Sequence, residues 1–199
     1  MTAPTDEHLL AAHLDGDSGA FREIVSRYHK ELFQFVYRFT HNQSAAEDVV
    51  QDTFTQLHLS AASFDTTRRL KPWLFTIAAN KARDQLRARS RRREVSLDAQ
   101  IGSDDQGQSF VELLSDEGAD PTEALDDSEQ RRIVRDVVDQ MPENLAEVLI
   151  LAYFHRFAYK QIAEILSIPL GTVKSRLHAA VTHFGVRYRA LAQQGDPET

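Results

Sequence analysis

Several residue types and patterns that would place this chain in a particular class are missing from its 199 residues. The absence of cysteine excludes disulfides and thiolate metal or redox sites. No apolar run approaches the roughly 20 residues that a membrane helix needs. Met1–Leu14 contains Asp6 and Glu7 but no lysine or arginine, unlike a secretory signal. We therefore expect a cytoplasmic protein without membrane insertion.

Groupings of side chains that would support catalysis are also missing. The sequence shows no cluster of metal ligands, no glycine-rich phosphate loop and no nucleophile paired with a base. We therefore predict no enzymatic activity, no catalytic residue, no metal and no cofactor. His178 and His183 are expected to be ordinary exposed histidines of a helix rather than a metal or pH sensor.

The charges are distributed very unevenly along the chain. The net charge is −7, yet Glu94–Gln130 has 12 acidic residues and no lysine or arginine. The rest of the chain holds 23 basic and 18 acidic residues, a net charge of +5. Arg68–Arg93 alone contains ten basic residues and a single acid, Asp84. Because local charge decides where phosphates bind, the segment Arg68–Arg93 predicts a surface for nucleic acid.

Helical periodicity occurs on both sides of the acidic segment, and no segment alternates as a strand does. Ala20–Phe39 has apolar residues at intervals of three and four. A second helix is predicted from an N-cap at Ser44, and a third from Pro72 into the arginine run. Glu94–Gln130 has little periodicity, which favours a flexible acidic linker. The predicted fold is all-α, with an N-terminal domain at 1–93, a linker at 94–130, a C-terminal domain at 131–190 and a tail at 191–199.

Ala158–Phe184 has the pattern of a helix-turn-helix. Its first helix has an apolar face, and Ser167–Pro169 forms a tight connection with proline suited to a first helical turn. Val173, Leu177 and Val181, at intervals of four, would pack the second helix onto the first. Its polar face near the N-terminal end, where a recognition helix meets the major groove, carries Thr172, Lys174, Ser175, Arg176 and His178. A plain helical hairpin with a solvated polar face would have the same spacing.

The basic segment also places an aromatic and several polar residues on one helical face. Trp73, Ile77, Asn80, Asp84 and Arg87 follow one another at intervals of 4, 3, 4 and 3. Apolar walls and an amide hold an unpaired base, and flanking arginines attract phosphates. In the alternative, the two apolar residues belong to the core and the arginines form a solvated face. The excess of cations favours nucleic acid for the stripe as a whole, because these cations would repel one another without a polyanion.

Three segments, in this order, resemble the extracytoplasmic-function (ECF) sigma factors of the sigma-70 superfamily. Glu47–Phe54 is similar to the segment of that family that grips the polymerase clamp. Trp73–Asn80, continuing to Arg87, resembles the element that reads and melts the −10 region. Ile162–His178 resembles the −35 recognition motif. The resemblance implies an alternative sigma factor that binds core RNA polymerase and directs it to promoters for transcription initiation.

The resemblance also implies particular site residues and partners. The residues implied for polymerase binding are Glu47, Asp48, Gln51 and Asp52. Those implied for −10 DNA are Trp73, Asn80, Lys81, Asp84 and Arg87, and those for −35 DNA are the five polar residues of the recognition helix. The implied partners are core polymerase, promoter DNA and an anti-sigma factor. The chain departs from the family at Ala158, where a serine cap is usual, and at Ser167, where a glycine is usual.

Two other functions are compatible with parts of this pattern. A stand-alone helix-turn-helix regulator would bind DNA without polymerase, but it leaves the basic stripe and the acidic patch around Asp48 without a role. A sigma mimic would sequester an anti-sigma factor without binding DNA. The presence of Asn80, Arg87, Lys174 and Arg176 argues against a mimic.

Overall fold

The computed structural model describes residues 3–96 and 128–192, and every regular element within these ranges is helical, as predicted. The chain divides into two compact units, the first containing residues 3–96 and the second residues 128–192. None of the described helices is both long and apolar enough to cross a membrane. The predicted acidic linker lies largely outside the described residues, and the limits predicted for the domains stay predictions.

The first unit consists of four helices around an aromatic core. They are α1 (Asp6–Leu14), α2 (Ser18–Thr40), α3 (Gln43–Ser60) and α4 (Leu70–Ser96), with a single 3₁₀ turn at Ala61–Ser63. Phe35 of α2 and Phe75 of α4 are fully buried, and their ring centroids lie 5.1 Å apart. Buried rows on α2, α3 and α4 therefore meet at one centre, which fixes the direction in which the other face of each helix points.

The predicted start of α3 is wrong by two residues. Asn42, not Ser44, caps the helix, because its backbone is extended and its side-chain oxygen accepts a hydrogen bond from the N–H of Ala45 at 2.8 Å. Ser44 lies inside the first turn. Asparagine and serine are comparable caps, so the sequence pattern alone does not choose between them.

Helix α4 also begins two residues before the predicted position, at Leu70 rather than Pro72. Proline is tolerated throughout the first turn, since its missing N–H has no partner within the helix there. The N–H of Leu70 instead donates a hydrogen bond of 3.1 Å to Oε1 of Glu7, on α1. A side chain distant in sequence therefore caps the helix.

The second unit is built from α5 (Ser128–Asp139), α6 (Glu143–Leu149), α7 (Tyr159–Leu166) and α8 (Leu170–Ala192), with α6 continuing into a π-helical turn at Ile150–Phe154. Val173 and Leu177 of α8 are buried as predicted, but Val181 is 45% exposed and Ala180 is fully buried instead. The prediction for Val181 is wrong because of the helical repeat. Ala180, seven residues after Val173, returns to within about 20° of the same face of the helix, whereas Val181, eight residues after Val173, lies about 80° beyond that face.

Candidate functional site

The four α3 residues predicted to bind polymerase lie on the solvent side of the helix. Ala46, Val49, Val50, Thr53 and Phe54 form a buried row at helical spacing. Glu47, Asp48, Gln51 and Asp52 are all exposed. Oε1 of Glu47 accepts a hydrogen bond of 2.9 Å from the amide of Gln43, one turn earlier. The structure thus brings three carboxylates and an amide together on one exposed surface, which we call the α3 polar surface.

An open groove of about 540 Å³ runs between α2 and α3, next to the α3 polar surface. Glu47 and Gln51 lie among its lining residues, whereas Asp48 and Asp52 do not. Its other lining side chains are Phe21, Val25 and His29 of α2 and Val50, Phe54, Thr55 and His58 of α3. The predicted polar cluster therefore divides into a pair at the groove and a pair outside it.

Helix α1 is fastened to α2 by a carboxylate. Oδ1 of Asp6 accepts a hydrogen bond of 3.0 Å from Nη1 of Arg27, and Oδ2 accepts one from the hydroxyl of Tyr28. Burial and this acidic acceptor raise the pKa of Tyr28 above its usual value, so the hydroxyl stays protonated and keeps donating. Because α1 also caps α4 through Glu7, the whole helix acts as a brace for the first unit.

The predicted −10 residues follow one face of α4. Leu74, Phe75, Ala78, Ala79 and Ala82 form the buried row of this helix. On the opposite side, Asn80, Asp84 and Arg87 are exposed, while Trp73, Ile77 and Lys81 are partly covered. The side chains of 89–96, including those of the arginine run, lie outside what the structure describes.

Asp84 and Arg87 form an ion pair across one turn of α4. Nη1 of Arg87 lies 3.6 Å from Oδ1 of Asp84, and the two side chains are 71% and 74% exposed. A pair this exposed adds little stability. Asp84 therefore lies within ion-pair distance of Arg87 on the exposed side of α4.

The loop that precedes α4 is held against the helix by aromatic packing. The ring of Phe64 lies 4.7 Å from that of Trp73, with 30° between their planes. Oδ1 of Asp65 accepts hydrogen bonds from the hydroxyl and the N–H of Thr67, which closes a small turn and lowers the pKa of that carboxyl. Trp73 is thus half-buried and packed against Phe64 of the loop, at the start of the face that Asn80 continues.

The helix-turn-helix is present, and both departures from the family pattern have visible consequences. Ser167 adopts the left-handed conformation, with φ of 53°, and the N–H of Ile168 donates to the carbonyl of Ala163 at 3.0 Å. Glycine adopts this conformation without strain, whereas serine does not. At the start of α7 Ala158 has no capping side chain, but Oε1 of Gln161 accepts the N–H of Ala158 at 2.9 Å. Half of a capping box therefore forms without serine.

The predicted recognition residues lie around the N-terminal half of α8, away from its buried row. Lys174, Ser175 and His178 are exposed, and Thr172 and Arg176 are half-buried at the flank. The hydroxyl of Ser175 donates to the carbonyl of Thr172 at 3.1 Å. Two cations, an imidazole and two hydroxyls thus surround the exposed start of one helix.

Sequence reasoning missed the part that α2 and the loop contribute to these surfaces. Phe21, Val25 and His29 recur every four residues on α2, a spacing equally typical of core residues. Phe64 precedes α4 by several positions, and nothing in its local sequence indicates that it stacks on Trp73. The sequence signal available for the groove was His29, a polar residue at the position where the spacing of Phe21 and Val25 predicts a third apolar one.

Both units match known families. Residues 24–92 match the family model of Sigma-70 region 2, and residues 131–184 match that of Sigma-70, region 4. ECF RNA polymerase sigma factor SigW of Bacillus subtilis is 32% identical over 163 residues, which cover 82% of this chain and 86% of SigW. The chain belongs to the ECF sigma factors of the sigma-70 family. It is therefore an alternative sigma factor, which directs RNA polymerase to promoters for transcription initiation.

A second curated relative supports the same assignment, and a solved structure shares the fold. RNA polymerase sigma-H factor of Pseudomonas aeruginosa is 30% identical over 184 residues, covering 90% of this chain and 92% of that protein. Among solved structures, the sigma factor RpoE of Bartonella quintana, in complex with the anti-sigma factor NepR, superposes with a TM-score of 0.65 at 24% identity, covering 88% and 98% of the two chains. That likeness shows the shared fold. The match of 24–92 to region 2 argues against a stand-alone helix-turn-helix regulator.

Proposed function

We propose that this sigma factor binds core RNA polymerase through the α3 polar surface, with the adjoining groove receiving apolar side chains of the same partner. The observation that carries the proposal is the separation of polar from apolar residues on α3 between Ala46 and Leu57, beyond which Leu59 is exposed. All four polar residues are exposed, and every apolar residue from Ala46 to Leu57 is buried. Acids that contribute nothing to the core beneath them are suited to pair with arginines of a partner.

We propose further that the exposed α4 face and its preceding loop capture an unpaired base of the −10 element. Asn80 offers a donor and an acceptor for a base edge, and Arg87 and Lys81 attract phosphates. Trp73, packed against Phe64, holds the loop in place rather than presenting its ring to a base. Contacts of this kind, made only with the open strand, recover part of the cost of unstacking, a few kcal/mol per base.

The start of α8 is assigned to the −35 element in the same proposal. Lys174 and His178 are exposed, and Arg176 is partly exposed at the flank of the same helix. Long cationic side chains at the edges of a recognition helix meet phosphates or guanine edges, and Ser175 lies between them at its centre.

An anti-sigma factor is proposed as a third partner, supported by the related fold of RpoE in its complex with NepR. The chain is proposed to act as a binding protein rather than as an enzyme, in the cell interior where polymerase works. Its specificity for polymerase and for promoter DNA then comes from the binding surfaces proposed above. Substitutions at one surface test that surface separately from the others.

The experiment that tests the polymerase surface is a charge reversal. Asp48→Arg is expected to weaken binding of the full chain to core polymerase by about 1–3 kcal/mol, since it opposes an arginine of the partner. The matched control is Asp136→Arg, an identical change at an exposed position of α5. Unchanged core affinity for Asp48→Arg, in a chain whose circular dichroism matches wild type, would remove the assignment.

A further inference from the structure

Two histidines from different helices meet at the rim of the groove. Nε2 of His13, in the last turn of α1, lies 2.9 Å from Nδ1 of His58, in the last turn of α3. His58 is exposed, His13 is partly covered, and the ring of Phe21 packs against both, with centroids 4.7 and 5.6 Å away. The α3 polar surface and the promoter-binding surfaces proposed above include neither histidine, although His58 also lines the groove proposed to receive apolar side chains of polymerase.

From this geometry we propose that His13 and His58 form a binding site for a transition-metal cation of the zinc, nickel or copper class. Imidazole nitrogens bind these ions at about 2.0–2.1 Å, so two tetrahedral ligands stand about 3.3 Å apart. The observed separation is only a few tenths of an ångström smaller, and rotation of the exposed His58 ring opens it. The ring that donates the present hydrogen bond moves its proton to its other nitrogen, so both facing nitrogens become ligands without net loss of a proton.

The helix ends around the pair favour a cation as well. Both histidines lie in the last turn of a helix, where the carbonyl ends carry partial negative charge. Among the described residues no third histidine, aspartate or glutamate completes a three-residue cluster, so this part of the chain supplies two ligands and solvent would supply the others. The site is thus a two-histidine clamp that joins α1 to α3, with modest affinity and an open side toward solvent.

The test is calorimetric titration of the full chain with zinc chloride and nickel chloride at neutral pH. One saturable site is expected, and His13→Gln or His58→Gln should each weaken it roughly tenfold or more. His29→Gln, on α2 at the same groove, is the matched control and should leave the affinity unchanged. Equal affinity in wild type and both variants, or no saturable binding by wild type, would overturn the proposal.

A second measurement needs no substitution and so does not depend on how well a variant folds. Nitrogen-15 spectra of the imidazole rings are recorded as zinc is added to the unmodified chain. The resonances of His13 and His58 should move together, with the same midpoint as the calorimetric titration. If they stay fixed while those of other histidines shift, the metal binds elsewhere and the proposal is wrong.

Discussion

Oε1 of Glu7 accepts a hydrogen bond from the backbone N–H of Leu70, a residue 63 positions later in the sequence. The carboxylate thereby caps the N-terminus of α4, where a negative charge also complements the helix dipole. A residue of α1 therefore stabilises the N-terminus of α4, the helix proposed to read the −10 element. This hydrogen bond links α1 to the helix that carries the proposed promoter surface.

Glu7→Ala is expected to destabilise the chain by about 1 kcal/mol, as the loss of a helix cap does. Glu7→Gln keeps an acceptor oxygen and should cost less. His8→Ala, the exposed neighbour on α1, serves as the control. Urea unfolding measures the stability, and the amide of Leu70 should exchange faster in Glu7→Ala. An unchanged exchange rate for this amide would show that the cap is not formed in solution.

The contact between Phe64 and Trp73 predicts a fluorescence change, since Trp73 is the one tryptophan of the chain. Phe64→Ala removes an aromatic pair worth about 0.5–1.5 kcal/mol beyond its buried area, and it uncovers the indole. The emission should shift to longer wavelength, and promoter opening should weaken while core binding is kept. Phe184→Ala, which removes the aromatic pair with Tyr188 in α8, should leave the emission unchanged. An unshifted spectrum for Phe64→Ala would contradict the packing described.

The left-handed conformation of Ser167 predicts a stabilising substitution. Ser167→Gly relieves a backbone strain of about 1–2 kcal/mol and loses part of that gain to the greater freedom of glycine in the unfolded chain. The net stabilisation expected is about 0.5–1 kcal/mol, measured by urea unfolding. Ala179→Gly, at an exposed position inside α8, should instead destabilise by about 1 kcal/mol. Destabilisation by Ser167→Gly would show that the turn does not have this conformation.

Much of this architecture could be predicted from the sequence, because helices leave a local record in their apolar spacing. The exposed sides of α3 and α4 followed directly from that spacing, as did the turn at Ser167. Contacts between distant residues have no such record. Glu7 meets Leu70, and His13 meets His58, only because four helices pack in one particular way. A periodic pattern indicates which face of a helix is buried, but it does not indicate which helix covers that face.

Two of the three errors in the helix predictions, the start of α3 and the burial of Val181, have local physical causes. Asn42 and Ser44 are both good caps, and only the extended backbone at Asn42 decides between them. The exposure of Val181 follows from the helical repeat, because an interval of four residues drifts away from the buried face after two turns. The proposed site residues needed the resemblance to a family, since exposure alone does not assign a partner to a polar surface.

The recognition helix should be required for −35 recognition. Alanine at Lys174, Ser175, Arg176 and His178 together is expected to abolish −35-dependent transcription, while a single lost base contact should relax specificity by about 1–3 kcal/mol at one position. Arg187→Ala, an exposed arginine farther along α8, is the control. Run-off transcription on promoter variants measures the effect. Intact −35-dependent transcription in the fourfold variant would make this surface purely structural.

Promoter opening tests most directly the claim that this chain opens DNA through the exposed face of α4. Core polymerase and the full chain are placed on duplex and pre-melted promoters, and permanganate footprinting detects unpaired thymines. Asn80→Ala should lose opening on the duplex and keep polymerase binding, and pre-melting should restore only part of the activity because the captured base has still lost its partner. Asn144→Ala, an exposed asparagine of the second unit, should behave like wild type. Duplex opening at the wild-type level by both Asn80→Ala and Arg87→Ala would contradict the account.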